Sequence, residues 1–100
     1  MSTTKINIPE YPALVLLFGI PGCDHCRDFE PVLRAAHQKH AKIPAFVINC
    51  ADQGEVADKL GVRATPTTFL LSHGQVVSRL EGVQPPEVAE MLFQKAEALR

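Results

Sequence analysis

The sequence predicts one α/β domain with a mixed β-sheet, on the basis of three observations. Apolar runs of strand length alternate with segments of helical periodicity, in the order strand, helix, strand, helix, strand, strand, helix. A His73-Gly74 pair between the last two apolar runs is typical of a hairpin turn, so the sheet should begin parallel and end antiparallel. A chain of 100 residues, 46% of them hydrophobic, can build one core, and we expect residues 1–100 to form a single domain.

The first half of the chain contains two predicted strands and a long helix. Residues 14–18 form a continuous apolar run, as expected of a strand buried on both faces. Apolar residues recur at three- and four-residue spacing over residues 23–40, which predicts an amphipathic helix with Pro31 inside it. Residues 45–49 predict a second buried strand. Residues 1–12 are interrupted by prolines and predict an N-terminal arm or a short edge strand.

The second half of the chain contains a short helix, a hairpin and a terminal helix. Residues 51–61 predict the short helix, which Gly61 ends. Residues 67–71 and 75–80 predict the two strands of the hairpin. The terminal helix begins near Pro86, and its apolar stripe contains Val88, Met91, Leu92, Ala96 and Leu99. The predicted architecture is therefore a central mixed sheet of four to five strands flanked by helices.

Composition argues against several classes of function. The net charge is -1 and charges of both signs are mixed along the chain, so we expect no nucleic-acid stripe and no polybasic membrane patch. No segment approaches the roughly 20 apolar residues of a membrane span. Three cysteines are an odd number, which fits a reducing compartment better than a secreted disulfide scaffold. We therefore expect a cytoplasmic monomer that binds neither nucleic acid nor membranes.

The most informative motif is the run Cys23-Asp24-His25-Cys26 between the first strand and the first helix. Two cysteines at this spacing can close a disulfide or bind a soft metal. Cys23 falls at the helix N-terminus, where unpaired N–H groups and the helix dipole stabilise a thiolate, and Cys26 lies one turn further. A protonated His25 would favour that thiolate, whereas the charge of Asp24 would oppose it, so both are candidate redox-tuning residues.

Two other sets of residues are candidates for chemistry. His37 and His40 follow the cysteine pair and loosely imitate a zinc finger, but His37 lies about 16 Å from Cys26 along the helix axis. This distance argues against a metal site, and we interpret both histidines as helix-surface residues. Cys50 ends the second strand. It is either a small inert hydrophobic residue or an accessory redox thiol.

Several separated landmarks, in the right order, resemble those of the thioredoxin family. They are Cys23-x-x-Cys26, Pro31, the run 61–67 (Gly-Val-Arg-Ala-Thr-Pro-Thr), Gly74 in the hairpin turn and Gly82 before the last helix. Together they cover roughly residues 13 to 100. The resemblance implies a thioredoxin fold, and we expect the family's first helix to be missing because the N-terminal part is short.

The resemblance also implies a site and a function. It places a cis peptide bond at Thr65–Pro66 beside the cysteine pair, a substrate groove formed by Gly22, Thr65, Pro66 and Gly82, and Cys50 on the groove rim. The implied function is a protein disulfide reductase without a bound cofactor, reduced by a thioredoxin-reductase-like enzyme or by glutathione. Two alternatives stay open: a disulfide oxidant or isomerase, and a non-catalytic binding module.

The sequence departs from the family pattern around the cysteine pair. The usual Trp before the first cysteine is Gly22, and the usual Gly-Pro between the cysteines is Asp24-His25. The family's buried acidic residue is replaced by Leu17, and its lysine partner by Val47. These last two changes remove the group that would help to deprotonate Cys26. His25 or solvent is then the candidate base for this step.

Overall fold

The computed structural model describes residues 7–100 and contains the predicted elements in the predicted order. The four strands are β1 (Leu14–Gly19), β2 (Ala45–Asn49), β3 (Thr67–Ser72) and β4 (Gln75–Glu81). The three α-helices are α1 (Asp24–Lys39), α2 (Gly54–Lys59) and α3 (Pro86–Ala98). The mixed four-stranded sheet flanked by helices confirms the predicted thioredoxin fold.

The sheet has the strand order β2-β1-β3-β4, so β1 is an interior strand. Strand β1 pairs parallel with β2 and antiparallel with β3, and β3 pairs antiparallel with β4. Every residue of β1 is buried, which explains why its sequence is a continuous apolar run rather than an alternating one. In the register of β1 and β2, Leu17 lies opposite Val47.

Alternate residues of β1 supply the core on each face of the sheet, because successive side chains of a strand point to opposite faces. Val15 and Leu17 pack with buried residues of α1 and α3, among them Phe29 and Phe93. On the opposite face the buried cluster contains Leu14, Leu16, Phe18, Ile48, Ala57, Phe69 and Leu71. This double burial holds the end of β1, and the loop that follows it, in a fixed position.

The interpretation of His37 and His40 as helix-surface residues is wrong. Both are half-buried between α1 and α3, and their rings stack on Phe93 with centroid separations of 5.4 and 5.9 Å. His37 Nε2 donates to the Ile43 carbonyl oxygen at 2.8 Å, and His40 Nε2 lies 2.7 Å from Glu90 Oε1. The physical reason is that α3 packs across the last turns of α1 and covers the face that carries both rings.

The N-terminal part of the chain was predicted to be an arm or a short edge strand over residues 1–12. Residues 1–6 lie outside the described residues, and residues 7–12 contain a 3-10 helix, Ile8–Glu10, and no strand. The His73 N–H donates to the Tyr11 carbonyl oxygen at 2.7 Å, which connects this segment to the β3–β4 turn. Helix α2 is shorter than predicted, because residues 51–53 form a turn before it begins.

The role of Phe93 at the helix interface can be tested by truncation. We expect Phe93→Ala to lower the free energy of unfolding by about 3–5 kcal/mol, because it removes a fully buried ring and leaves a cavity under both histidines. Met91→Ala is the matched control on the same helix, since Met91 is 64% exposed. Its loss should stay below about 0.5 kcal/mol. Urea unfolding measures both, and equal losses would contradict this view of the core.

Candidate active site

The cysteine pair lies where the sequence places it, at the start of α1. Cys23 is the N-cap residue, and its Sγ accepts a hydrogen bond from the Cys26 backbone N–H at 3.1 Å. This interaction uses one of the N–H groups that the first helical turn leaves without a backbone partner. The two cysteines form a disulfide, with their Cα atoms 5.3 Å apart, and both are half-buried. Donors that approach Cys23 Sγ in this way also favour a thiolate when the disulfide is reduced.

The second part of the site comes from the loop before β3, 42 residues along the chain. The Thr65 hydroxyl donates to Cys23 Sγ at 3.4 Å, and the Thr65 carbonyl oxygen lies 3.8 Å from the same sulfur. The Thr65–Pro66 peptide bond is cis, and Pro66 is buried. The Gly82 N–H donates to the Pro66 carbonyl oxygen at 2.8 Å, so the end of β4 joins the same region. Thr65, Pro66 and Gly82 are therefore brought together beside Cys23.

The side of Cys23 that faces solvent is open. Gly22 is exposed with φ +77, and a Cβ built at this position would meet no atom within 4 Å. Two exposed apolar residues, Ile20 and Val83, follow the ends of β1 and β4 near this opening. The sequence analysis missed both, because a single apolar residue in a loop carries no signal of exposure. The opening is thus partly apolar, with the charged side chains of Arg27 and Glu30 on the same cleft.

Asp24 and His25 are both exposed on the first turn of α1. The Asp24 carboxylate forms an ion pair with the guanidinium of Arg27, a partner that the sequence analysis did not consider. The spacing of three residues on one helix could have indicated it. Both side chains are about three-quarters exposed, so the pair contributes little to stability, but it does oppose the effect of Asp24 on the neighbouring sulfur.

The strands beneath Cys26 offer no carboxylate. Leu17 is only 2% exposed and lies opposite Val47 in the register of β1 and β2. The backbone of β1 approaches the Cys26 sulfur closely, since a Cβ on Gly19 would lie 3.3 Å from Cys26 Sγ. Because Cys26 Sγ lies so close to Gly19, the residues around the end of β1 decide whether a proton acceptor is near this sulfur. Leu17 and Val47 are aliphatic, so neither can accept a proton.

Cys50 occupies the far side of the same sheet edge. Its backbone N–H donates to the Gly19 carbonyl oxygen at 2.9 Å, and its side chain borders a cleft that Ile20 and Thr65 also line. The thiol is half-buried, and this burial raises its pKa, while a backbone hydrogen bond acts in the opposite direction. Cys50 therefore lies close to the groove, in surroundings that disfavour its thiolate.

The described residues offer neither a metal-binding cluster nor a membrane-spanning helix. Within residues 7–100, no group of three or more His, Cys, Asp or Glu side chains is arranged to hold a metal ion. In the same part of the chain, no helix combines the length and the apolar character needed to cross a membrane. The cysteine pair and the residues around it are therefore the candidate site.

Comparison with known proteins agrees with this geometry. The thioredoxin family model matches residues 3–95, nearly the whole chain. The chain belongs to the thioredoxin family. Family membership and the Cys23–Cys26 pair identify it as a thiol–disulfide oxidoreductase, a class whose members act on protein disulfides.

Individual relatives share about a third of their residues with this chain or fewer. The chain is 32% identical over 85 residues to a thioredoxin-like protein of Oryza sativa, matching 85% of this chain and 64% of the rice protein's length. It is 30% identical over 96 residues to thioredoxin 1 of a Nostoc strain, matching 94% of this chain and 90% of that protein. The crystal structure of a Nicotiana alata thioredoxin superposes with a TM-score of 0.73 at 30% identity, over 88% of this chain and 73% of that one.

The effect of burial on Cys50 can be measured in the oxidised protein, where it is the remaining free thiol. We expect its rate of alkylation by iodoacetamide to reach half-maximum above about pH 8.5, the approximate pKa of a free cysteine thiol, because burial disfavours the thiolate. Unfolding the protein in urea should move that midpoint down. Identical midpoints in the folded and unfolded protein would contradict the assignment.

Proposed function

We propose that this chain is a protein disulfide reductase in which Cys23 is the nucleophile and Cys26 the resolving thiol. The observation that carries the proposal is the position of Cys23 Sγ, which accepts a hydrogen bond from the Cys26 N–H at 3.1 Å and one from the Thr65 hydroxyl at 3.4 Å and is therefore equipped as the nucleophile of thiol–disulfide exchange. Both donors stabilise negative charge on this sulfur. Among the described residues, Cys50 has no comparable pair of donors, and burial raises the pKa of its thiol.

The reaction proceeds in two exchange steps. The Cys23 thiolate attacks one sulfur of a substrate disulfide, forms a mixed disulfide and releases the first substrate thiolate, which takes up a proton. The Cys26 thiol then loses its proton and attacks Cys23 Sγ, which closes the Cys23–Cys26 disulfide and releases the second substrate thiol. Two electrons pass from the protein dithiol to the substrate, and no bound cofactor is required.

The surroundings of Cys23 suit a protein substrate. The opening at Gly22 leaves room for an extended chain to approach the sulfur, and the exposed side chains of Ile20 and Val83 give it apolar surface to cover. Thr65, Pro66 and Gly82 would form the wall of the groove. A thioredoxin-reductase-like enzyme or glutathione would then restore the dithiol, in a monomer working in the cytoplasm.

Insulin reduction driven by dithiothreitol tests this proposal. We expect the wild-type protein to accelerate precipitation of the insulin B chain, and Cys23→Ser to reduce the rate to that of dithiothreitol alone. Cys50→Ser is the matched control, because it removes a thiol outside the redox pair, and it should keep most of the activity. A wild-type rate no faster than the uncatalysed reaction would refute the proposal.

One observation favours the opposite direction of electron flow. The Arg27 guanidinium pairs with Asp24, so the acidic charge beside Cys23 is compensated while His25 remains exposed next to it. A stabilised thiolate favours the reduced dithiol and makes the disulfide a stronger oxidant. The reduction potential separates the two functions. A value well below about −260 mV indicates a reductase, and one at or above the glutathione potential indicates an oxidant.

A further inference from the structure

The second exchange step needs a proton acceptor that the sheet does not provide. Cys26 must lose its proton before it can attack Cys23 Sγ, since the thiolate is the nucleophile. Leu17 and Val47, which replace the family's acidic residue and its lysine partner, carry no ionisable group. They lie opposite each other in the register of β1 and β2. A carboxylate from another element could perform this role if it reached the same space.

Glu30 carries a carboxylate one helical turn after Cys26. It follows Cys26 by four residues on α1, and residues at this spacing lie on the same side of a helix, with their Cβ atoms about 5–6 Å apart. A helical side chain also leans towards the turn before it, which directs Glu30 towards Cys26.

A cleft at the ends of β1 and β2 contains both groups. Its charged lining residues are Arg27 and Glu30, while the strand residues that border it, Val47, Ile48 and Asn49, are uncharged. Among the described residues, Glu30 therefore supplies the only carboxylate that lines this cleft together with Cys26.

Glu30 has a fixed charged partner. Its Oε1 accepts a hydrogen bond from Arg34 Nη2 at 2.8 Å, and the Glu30 side chain is 34% exposed. Glu30 and Arg34 also line the neighbouring cleft, whose floor includes Leu17 and Val47. The Glu30–Arg34 ion pair therefore lies on α1, on the same cleft as the aliphatic side chains of Leu17 and Val47. Oε2 of Glu30 has no protein partner among the described residues, and it is free to accept a proton.

We propose that the Glu30 carboxylate accepts the proton of the Cys26 thiol during resolution of the mixed disulfide. The O–H bond forms on Glu30 as the S–H bond of Cys26 breaks, and the resulting thiolate attacks Cys23 Sγ. The leaving substrate thiolate then recovers a proton, which regenerates the carboxylate. This inference rests on the proposed thiol–disulfide exchange at Cys23 and adds an acid–base residue to it.

Stopped-flow reaction with 5,5′-dithiobis(2-nitrobenzoate) separates the two steps. Attack by Cys23 releases one thionitrobenzoate, and resolution by Cys26 releases a second, so the absorbance rises in two phases. All proteins carry Cys50→Ser, and the reagent is kept below the protein concentration so that Cys26 does not react with a second molecule. The variants are Glu30→Gln, which removes the proton acceptor but keeps the shape, and His25→Gln, which removes the other nearby candidate base.

Asp28→Asn is the matched control. It removes one negative charge from the same helix, two residues after Cys26 and therefore on a different side of the helix. Asp28 is exposed, so the substitution should not disturb packing.

We expect Glu30→Gln to slow the second phase at least about tenfold at pH 7, as for loss of a general base. The first phase should change less than twofold, and Asp28→Asn should leave both phases unchanged. Raising the pH should restore the second phase of Glu30→Gln, because Cys26 then ionises directly to solvent.

Three outcomes would overturn the inference while leaving the proposed function intact. They are an unchanged second phase in Glu30→Gln, equal slowing in Glu30→Gln and Asp28→Asn, and slowing in His25→Gln alone. Absence of the first phase in the protein that carries only Cys50→Ser would instead refute thiol–disulfide exchange at Cys23, and the role of Glu30 with it.

Discussion

The position of the Cys23 sulfur at the first turn of α1 is the constraint on which the whole site depends. A helix begins with N–H groups that lack intrahelical partners, and here one of them, from Cys26, is directed at the sulfur. The sulfur stays in that position because β1 is buried on both faces and delivers the chain to the start of α1. The buried core therefore influences the reactivity of Cys23 by fixing the short loop between β1 and α1.

The rest of the site converges on this sulfur from distant parts of the chain. Thr65 approaches it from the loop before β3, and Gly82 is held there by a hydrogen bond to the Pro66 carbonyl oxygen. Cys26 is enclosed differently, between the end of β1 and the cleft that Glu30 borders. The two sulfurs thus have distinct surroundings: Cys23 Sγ accepts two hydrogen bonds, whereas Cys26 Sγ packs against the backbone of Gly19. This difference suits a nucleophile and a resolving thiol.

The sequence predicted the elements that depend on local pattern. The uniform apolar run of β1 indicated an interior strand, and the periodicity after Cys23 indicated α1. The sequence analysis failed where the environment of a side chain depends on how helices and strands pack together. His37 and His40 each follow a buried residue of α1, Leu33 and Ala36, by four positions, so their spacing already indicated the buried face of the helix. Their polarity led to the surface interpretation, and the crossing of α3 places Phe93 against both rings. The proposed role of Glu30 depends on a cleft that two strands and a helix form together, which no local pattern indicates.

The central claim, that the start of α1 stabilises a thiolate on Cys23, is tested most directly by alkylation of the reduced protein as a function of pH. Iodoacetamide labelling followed by peptide mass spectrometry assigns the rate to Cys23 alone. We predict a half-maximal rate well below pH 8.5, the approximate pKa of a free cysteine thiol. A midpoint at or above that pH would show that the helix N-terminus and Thr65 do not activate this sulfur, and would contradict the account of the site.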